Sequence, residues 1–356
     1  MKNFRITPDN TPNDGIMFVN HERNRRSGHL GHAMVEYADG CILSFYSNNS
    51  GTLNNGHSGY GWVESKRSLD GGKTWSEPTV LPYSWDCFID GQYYISCEKA
   101  VVTNDGTIVL FCLRSHCKPA WEPWETPTVI RSFDGGYSWT EPEEVCPTKG
   151  RIYDVRYRDG RIWALHFAND GSKFFCGNAP EHVYELYASD DNGESYQLIS
   201  TLPVDTTGLG YGSLNFLPDG RLIAYLYDSN DEYNLVCLTS ADGVVWSEPF
   251  GSYVAKRIRN PQTACLDGLY FLHGRSGCVD QTRPMNFVLY TSTDGIHWDE
   301  GRFIRETPEG ANGGAAYYSN NLVTGLYGSG PHRLLIQSSD AYEKAMTNIR
   351  HWWIDR

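Results

Sequence analysis

The most regular feature of the chain is a pair of short apolar runs separated by an Asp-Gly dipeptide. Runs at 33–37 and 41–45 flank Asp39-Gly40, and runs at 214–216 and 222–225 flank Asp219-Gly220. Apolar runs of this length predict β-strands, and Asp-Gly between two of them predicts a tight hairpin. The same pattern predicts hairpins at Asp105-Gly106, Asp159-Gly160, Asp267-Gly268 and, in a shortened form, near Thr324-Gly325. The chain therefore repeats one inner strand pair six times.

A second pattern, Ser-x-Asp-Gly-Gly-x-x-Trp or a close variant, follows the inner pairs. Its aspartates are Asp70, Asp134, Asp191, Asp242 and Asp294, with a degenerate sixth copy expected at Ser338-Ser339-Asp340. In such a turn the carboxylate accepts bonds from nearby N–H groups, the glycine supplies a positive φ, and the Trp covers the hairpin. Each copy thus predicts a structural turn and no catalytic group.

The spacing of these turns predicts the architecture. Successive aspartates lie 64, 57, 51, 52 and 46 residues apart, which suits one four-stranded propeller blade per repeat. We therefore expect an all-β fold, a six-bladed β-propeller of four-stranded antiparallel blades. A repeat that runs through the whole chain favours a single domain over 1–356, with 1–28 as an N-terminal segment able to complete the last blade.

Composition narrows the function classes. The 356 residues carry a formal net charge of −13, which argues against nucleic acid and anionic membranes as partners. Neither an apolar N-terminal leader nor an 18-residue apolar run is present, and the ten cysteines include no CxxC pair. Because several cysteines lie in strand-like runs, we expect reduced thiols and a cytoplasmic protein.

The turns also predict where a site lies. If both turn types close the blades at one end, the starts of the first strands and the ends of the second strands meet at the opposite end. Four histidines from four blades fall there, namely His32, His116, His166 and His273. The same end gathers Glu98, Tyr153, Arg114, Arg259 and Arg275. On a proline-rich insertion, Trp121 and Trp124 either stack on a sugar or pack beneath their own loop.

The repeats resemble the Asp-box repeats of the sialidase superfamily over roughly residues 30–340. That resemblance implies a six-bladed propeller whose axial pocket binds the non-reducing end of a glycan. It also implies three carboxylate-binding arginines, an Asp acid/base and a Tyr nucleophile with a Glu partner.

The match at these positions is partial. The segment Ala315-Ala316-Tyr317-Tyr318-Ser319 is similar to the family's Ala-Tyr-Ser, which makes Tyr318 the candidate nucleophile. Arg259 and Arg275 resemble two of the three arginines, and Glu98 is a distant candidate for the partner carboxylate.

Two features of the family are absent from their expected places. Leu30-Gly31-His32 stands where the family has Arg-Ile-Pro, and the insertion 48–60 has no Asp or Glu but offers His57.

These residues predict a sialidase-like glycoside hydrolase that acts on a terminal sugar, expected to be acidic. His32 or His57 would protonate the leaving oxygen, and Tyr318 would be the nucleophile or stabiliser. Two alternatives stay open: a His/Tyr-dependent polysaccharide or oligouronide lyase, and a non-catalytic glycan-binding propeller.

No cofactor is expected, and no metal site either, since His29 and His32 have a helix-type spacing in a loop-like segment. The expected partner is an oligosaccharide, with or without a carboxylate. The sequence predicts neither the oligomeric state nor the linkage.

Overall fold

In the computed structural model, three Asp-Gly dipeptides are two-residue hairpin turns, as predicted: Asp39-Gly40, Asp159-Gly160 and Asp267-Gly268. Asp105-Gly106 and Asp219-Gly220 also join paired strands, but within the longer loops 103–107 and 217–221. The structure describes residues 4–8, 14–117, 121–276 and 285–356. At Asp159-Gly160 both residues have positive φ, 53° and 83°, the conformation of a type I′ turn that matches strand twist. The hairpin predicted near Thr324-Gly325 is present, because the strands on its two sides pair, but its turn is longer than expected. There the first strand ends at Thr324 and the next begins only at Arg333, across a stretch rich in Gly with Pro331.

The strands form six antiparallel sheets within the described residues, each of them one blade. Two N-terminal strands, β1 (Arg5–Thr7) and β2 (Ile16–Val19), belong to the last sheet. Blade one holds β3 (Arg26–Ser27), β4 (Met34–Ala38), β5 (Cys41–Ser50), β6 (Gly61–Ser68) and β7 (Thr79–Val80). Blade two holds β8 (Tyr93–Val102), β9 (Ile108–His116), β10 (Thr128–Ser132) and β11 (Glu143–Glu144).

The remaining blades repeat the same order. Blade three holds β12 (Arg151–Arg158), β13 (Arg161–Ala168), β14 (Val183–Ser189) and β15 (Gln197–Thr201). Blade four holds β16 (Leu209–Phe216), β17 (Leu222–Asp228), β18 (Asn234–Ser240) and β19 (Phe250–Tyr253). Blade five holds β20 (Arg259–Leu266), β21 (Leu269–Arg275), β22 (Phe287–Ser292) and β23 (Arg302–Arg305). Blade six holds β24 (Ser319–Thr324), β25 (Arg333–Glu343) and β26 (Met346–Asp355).

The two ends of the chain meet in blade six. Strand β1 pairs with β26 through Ile6 and Ile354, and β2 pairs with β26 through Ile16 and His351. Pairing the first strands with the last one closes the ring and covers a sheet edge that would otherwise be open. Ile6 and Ile354 are both buried in a core cluster shared with blade five.

Helical structure is limited. One α-helix, α1 (Pro82–Asp90), lies between blades one and two, with Pro82 in its first turn and Gly91 at φ 73° as its C-cap, the preferred residues at those positions. In the ranges that the structure describes, three 3-10 turns span His21–Asn24, Leu53–Gly56 and Gly313–Ala315. In the described part of the chain, every helix is too short or too polar to cross a membrane.

The Asp-containing turns have the predicted bonding. In the first copy Ser68 Oγ donates to Asp70 Oδ1 at 2.8 Å, and Asp70 Oδ1 accepts from the N–H of Thr74 at 2.9 Å. The prediction of a sixth turn at Ser338-Ser339-Asp340 is wrong, because Ser338 and Asp340 lie inside strand β25. Asp340 is buried there and accepts from Arg305 Nε at 2.9 Å, so its carboxylate holds strands together instead of closing a turn.

Candidate active site

Four inner strands are irregular at the end opposite to the turns. The register shifts at Glu98 in β8, at Tyr153 in β12, at Tyr211 in β16 and between Arg259 and Gln262 in β20. A β-bulge turns one side chain away from its regular face. The side chains of Glu98, Tyr153 and Tyr211 consequently line one axial cavity together with Asn260.

The axial cavity is narrow. Its volume of about 40 Å³ holds water, whereas ligand pockets usually measure about 300–1,000 Å³. Side chains at its rim therefore have to move before a sugar ring enters.

A cluster of buried charges lies on the axis at the inner end of this cavity. Lys99 Nζ lies 3.0 Å from Asp154 Oδ1 and donates to Asn320 Oδ1 at 2.7 Å. Arg156 Nη2 lies 2.9 Å from Asp154 Oδ2, which also accepts from Ser213 Oγ at 2.8 Å. Burial alone would raise the pKa of Asp154, but Arg156 and Lys99 hold it below its usual range. Asp154 is therefore a structural anion and is unsuited to protonating a substrate.

Two tyrosines meet at the cavity. Tyr318 Oη lies 3.2 Å from Tyr211 Oη. Burial would raise the pKa of Tyr318, but the positive charges of Arg275 and Arg259, together with the Tyr211 hydrogen bond, lower it below its usual value. Burial and the charge of Tyr318 raise the pKa of Tyr211. Tyr318 is thus the phenol that ionises first, with Tyr211 as its donor.

Two arginines flank these phenols. Arg275 is buried, donates to the carbonyl of Gly314 and lies with its guanidinium carbon 5.1 Å from the centre of the Tyr318 ring. Arg259 is partly buried and packs on Phe175 at 4.7 Å. In the described part of the chain, the Nε atoms of Arg259 and Arg275 are both buried without a hydrogen-bond partner. One buried and one partly buried guanidinium group, each with an unpartnered Nε–H, suit a bound carboxylate.

A third arginine, Arg151, was missed by the sequence analysis. It begins β12, is buried, and donates from Nε and Nη2 to Glu98 Oε2 at 2.9 and 2.6 Å. Its guanidinium also lies 5.2 Å from the ring of Tyr153 and 5.7 Å from that of Trp124. Arg151 contributes to the lowered pKa of Tyr318. Glu98 is therefore committed to Arg151.

An aromatic cluster covers the Tyr318 ring. His29 stacks on Trp121 at a centroid distance of 4.6 Å and lies 4.4 Å from both Tyr318 and His57. His57 meets Trp121 edge to face at 4.3 Å. The cluster joins the predicted Trp121 and His57 to Tyr318 through His29, which the sequence analysis considered only as a metal ligand.

The histidines near the cavity are neutral at physiological pH. Burial lowers the pKa of His32 to about 4, against a hydrogen bond to the carbonyl of His29. Burial and the charge of Arg275 lower the pKa of His57 to about 4, and burial and the charge of His57 lower that of His29 well below its usual value. His57 is only partly buried and lies on the edge of the cluster, so it is the better placed proton donor.

Five other candidate residues do not line the cavity. Arg114 pairs with Glu144 at 2.7 Å, and His116 pairs with Glu125 at 2.8 Å. His166 is buried within blade three and bonds to Glu185 Oε2 at 3.0 Å.

His273 is buried beside the axial charges and bonds to Ser319 Oγ at 3.0 Å. Trp124 is also buried, beneath Arg151. All five side chains therefore contact protein partners outside the cavity lining or behind it.

The backbone is sterically constrained at Gly31, which follows Leu30 at the entrance to the first inner strand. Gly31 has a φ of 73°, and a Cβ placed there would lie 3.0 Å from the backbone nitrogen of Cys97. The chain of blade one therefore approaches blade two too closely for any side chain at this position.

Other chemistry has no visible support. Within the described ranges, no three His, Cys, Asp or Glu side chains are grouped as a metal ion would require. The nine described cysteines are free thiols, and five of them are buried.

Comparison with known proteins identifies the fold. No family model and no curated protein sequence matches the chain. A Dyadobacter fermentans protein of unknown function matches with a TM-score of 0.72 and 15% identity over 100% of both chains. A variant of the NanB sialidase from Streptococcus pneumoniae matches with a TM-score of 0.64 and 11% identity, over 98% of this chain and 72% of that one.

A third similar structure is a Penicillium chrysogenum alpha-L-arabinanase complexed with arabinobiose. It matches with a TM-score of 0.61 and 13% identity, over 96% of this chain and 97% of that one. The chain is thus a six-bladed β-propeller, as its repeats predicted, similar in fold to the solved sialidase and arabinanase.

Proposed function

We propose that the chain is a glycoside hydrolase that removes a terminal acidic sugar from an oligosaccharide. The observation that carries this proposal is the pair of arginines, Arg259 and Arg275, whose unused N–H donors flank the acidified phenol of Tyr318. A substrate carboxylate held by these two groups would orient the anomeric carbon next to the Tyr318 oxygen.

The chemistry follows from the same groups. Tyr318 Oη forms a bond to the anomeric carbon while the glycosidic C–O bond breaks, and His57 gives its proton to the leaving oxygen. Water then releases the sugar from Tyr318.

The fold of the solved sialidases and the arabinanase is compatible with this activity, although the site differs in offering His57 where the family has an Asp. Arg151 adds positive charge, but its pairing with Glu98 leaves Arg259 and Arg275 as the carboxylate-binding groups.

A second candidate function is a lyase acting on uronic-acid oligosaccharides. It is favoured by His29, a neutral imidazole whose ring lies 4.4 Å from that of Tyr318. In this reaction the histidine takes the proton beside the carboxylate, Tyr318 protonates the leaving oxygen, and a carbon–carbon double bond forms.

An assay with matched aryl sialosides and aryl glucuronides, together with oligouronides, separates the two functions. The hydrolase proposal expects release of the aryl group with a saturated sugar product, and no activity in Tyr318→Phe. An ultraviolet-absorbing unsaturated product would instead establish the lyase. Binding of these compounds without turnover would overturn both and leave a glycan-binding propeller.

A further inference from the structure

A polar bowl lies beside the proposed active site, between blades six and one. We define it by the residues that line it: Asn54, Asn55, His57, Asn312, Gly314 and Lys344. Its volume of about 440 Å³ falls within the usual range for ligand pockets, about 300–1,000 Å³. The bowl is thus large enough for a sugar unit, in contrast to the narrow axial cavity.

The walls of the bowl are fixed by backbone bonds between distant loops. The N–H of Ala345 donates to the carbonyl of Asn55 at 3.2 Å, and the N–H of Asn312 donates to that of Lys344 at 2.7 Å. Asn54, Asn55 and Lys344 have φ values of 47°, 56° and 48°. Such left-handed conformations persist where the surroundings hold them, so the bowl is formed before any ligand binds.

Two residue contacts connect the bowl to the proposed active site. His57 lines the bowl and also packs against His29 and Trp121 over the Tyr318 ring. Arg275, which flanks Tyr318, donates to the carbonyl of Gly314 in the bowl. A substrate that joins the two spaces therefore passes the His57 imidazole, where the leaving oxygen needs its proton.

The chemistry of the bowl suits hydroxyl groups. Its polar side chains are three amides, an imidazole and the exposed ammonium of Lys344, and no carboxylate lines it. Amides both donate and accept hydrogen bonds, as sugar hydroxyls do. The absence of acidic groups in this lining contrasts with a chain whose net charge is −13.

We infer that the bowl is the leaving-group subsite. It binds the sugar that departs from the terminal acidic residue, and His57 protonates the oxygen between the two units. This inference rests on the proposed hydrolase function, and it makes the substrate an oligosaccharide whose penultimate unit is recognised.

The test uses glycine variants, because glycine accepts the left-handed backbone at these positions. Asn55→Gly and Lys344→Gly remove one bowl side chain each. Asn192→Gly is the matched control, since Asn192 has a φ of 60° in the third Asp-containing turn, at the other end of the propeller. Turnover is measured with sialyllactose and with an aryl sialoside, and with the matching glucuronides.

We expect the double variant that combines Asn55→Gly with Lys344→Gly to lose about tenfold or more in kcat/KM on substrates with a sugar leaving group. On substrates with an aryl leaving group its kcat/KM should stay within about twofold of the wild-type value. Equal losses on both substrates, or no loss on sialyllactose and its glucuronide counterpart, would overturn the inference while leaving the hydrolase intact. If the wild-type protein hydrolyses none of these substrates, the proposed function fails and the inference fails with it.

Discussion

The hydroxyl oxygens of Tyr211, in blade four, and Tyr318, at the start of blade six, lie 3.2 Å apart. Their pKa values move in opposite directions, up for the buried Tyr211 and down for Tyr318 beside Arg275 and Arg259. When the pair loses its first proton, the negative charge therefore lies on Tyr318 and the remaining phenolic proton stays on Tyr211. This asymmetry makes Tyr318 the nucleophile.

Substitution of the two phenols should have unequal effects. Tyr318→Phe removes the attacking oxygen and should abolish turnover. Tyr211→Phe removes one hydrogen bond to the phenolate, so kcat should fall about 10–100-fold, because a hydrogen bond to a charged group contributes about 1.5–3 kcal/mol. Steady-state rates with an aryl glycoside test this prediction, and circular dichroism checks that both variants fold. Equal losses of kcat in the two variants would reject the roles assigned to Tyr318 and Tyr211.

Substitution of Arg259 should affect carboxylated substrates more than uncharged ones. Arg259→Gln should weaken kcat/KM for a carboxylated glycoside by about 10–100-fold, because a hydrogen bond between charged groups is worth about 1.5–3 kcal/mol. The same sugar with its carboxylate converted to an amide should lose much less. A similar loss on both substrates would mean that Arg259 supports the fold of the site and does not bind the carboxylate.

The pH dependence should differ between leaving groups. Burial and Arg275 lower the pKa of His57 to about 4, so the protonated donor declines tenfold per pH unit above that value. A sugar leaving group needs both this donor and the Tyr318 phenolate, whereas an aryl group needs only the phenolate. The ratio of aryl to sugar kcat/KM should therefore rise about tenfold per pH unit between roughly pH 5 and 7.

That rise should disappear in a His57→Gln variant, which has no titrating donor, and should persist in the exposed His297→Gln control. A constant ratio in the wild-type protein would exclude His57 as the acid.

Stability should also depend on pH. Burial lowers the pKa of His273 and of His351 to about 3, so below pH 6.5 the unfolded chain binds protons that the folded chain does not. Unfolding free energy should be constant above about pH 6.5 and fall as the pH drops towards 3. Each such histidine contributes a slope of up to about 1.4 kcal/mol per pH unit.

Urea unfolding between pH 7.5 and 5 measures this slope. His351→Gln should reduce it, and His297→Gln, at an exposed position, should not. A slope that is unchanged by His351→Gln would contradict the assignment.

The axial charges should be essential for the fold. Asp154→Asn leaves the buried Lys99 and the partly buried Arg156 without their anion and should cost about 3–5 kcal/mol. The control Asp190→Asn breaks an exposed pair with Arg161, 2.6 Å long, and should change little. Chemical denaturation compares the two, and equal small losses would show that the axial cluster is dispensable.

The fold was predictable because its signals are local. Asp-Gly hairpins and Ser-x-Asp-Gly turns specify themselves within a few residues, so repeated copies reveal the blades. The prediction failed at Ser338–Asp340 because Asp340 is engaged by Arg305 and Arg350, partners that no local pattern indicates.

The site was predictable only in part, because bulges alter the alternation of side chains. Strand starts correctly brought Glu98, Tyr153 and Tyr318 to one cavity. The same rule also predicted His166 as a site residue, but the alternation of side chains along its strand places His166 in the interior of blade three. Arg151, at the start of β12, was recognisable by the same rule, but the importance of His29 depends on its contacts with three other segments.

The most direct test of the account is covalent trapping of the nucleophile. Fluorinated sialyl and glucuronyl fluorides lose fluoride to an attacking oxygen and leave a slowly hydrolysed glycosyl-enzyme. Mass spectrometry of the protein and its peptides should show one added sugar, located on Tyr318 and absent from Tyr318→Phe. A label on another residue would contradict the central claim, as would turnover of these compounds with no label at any time point.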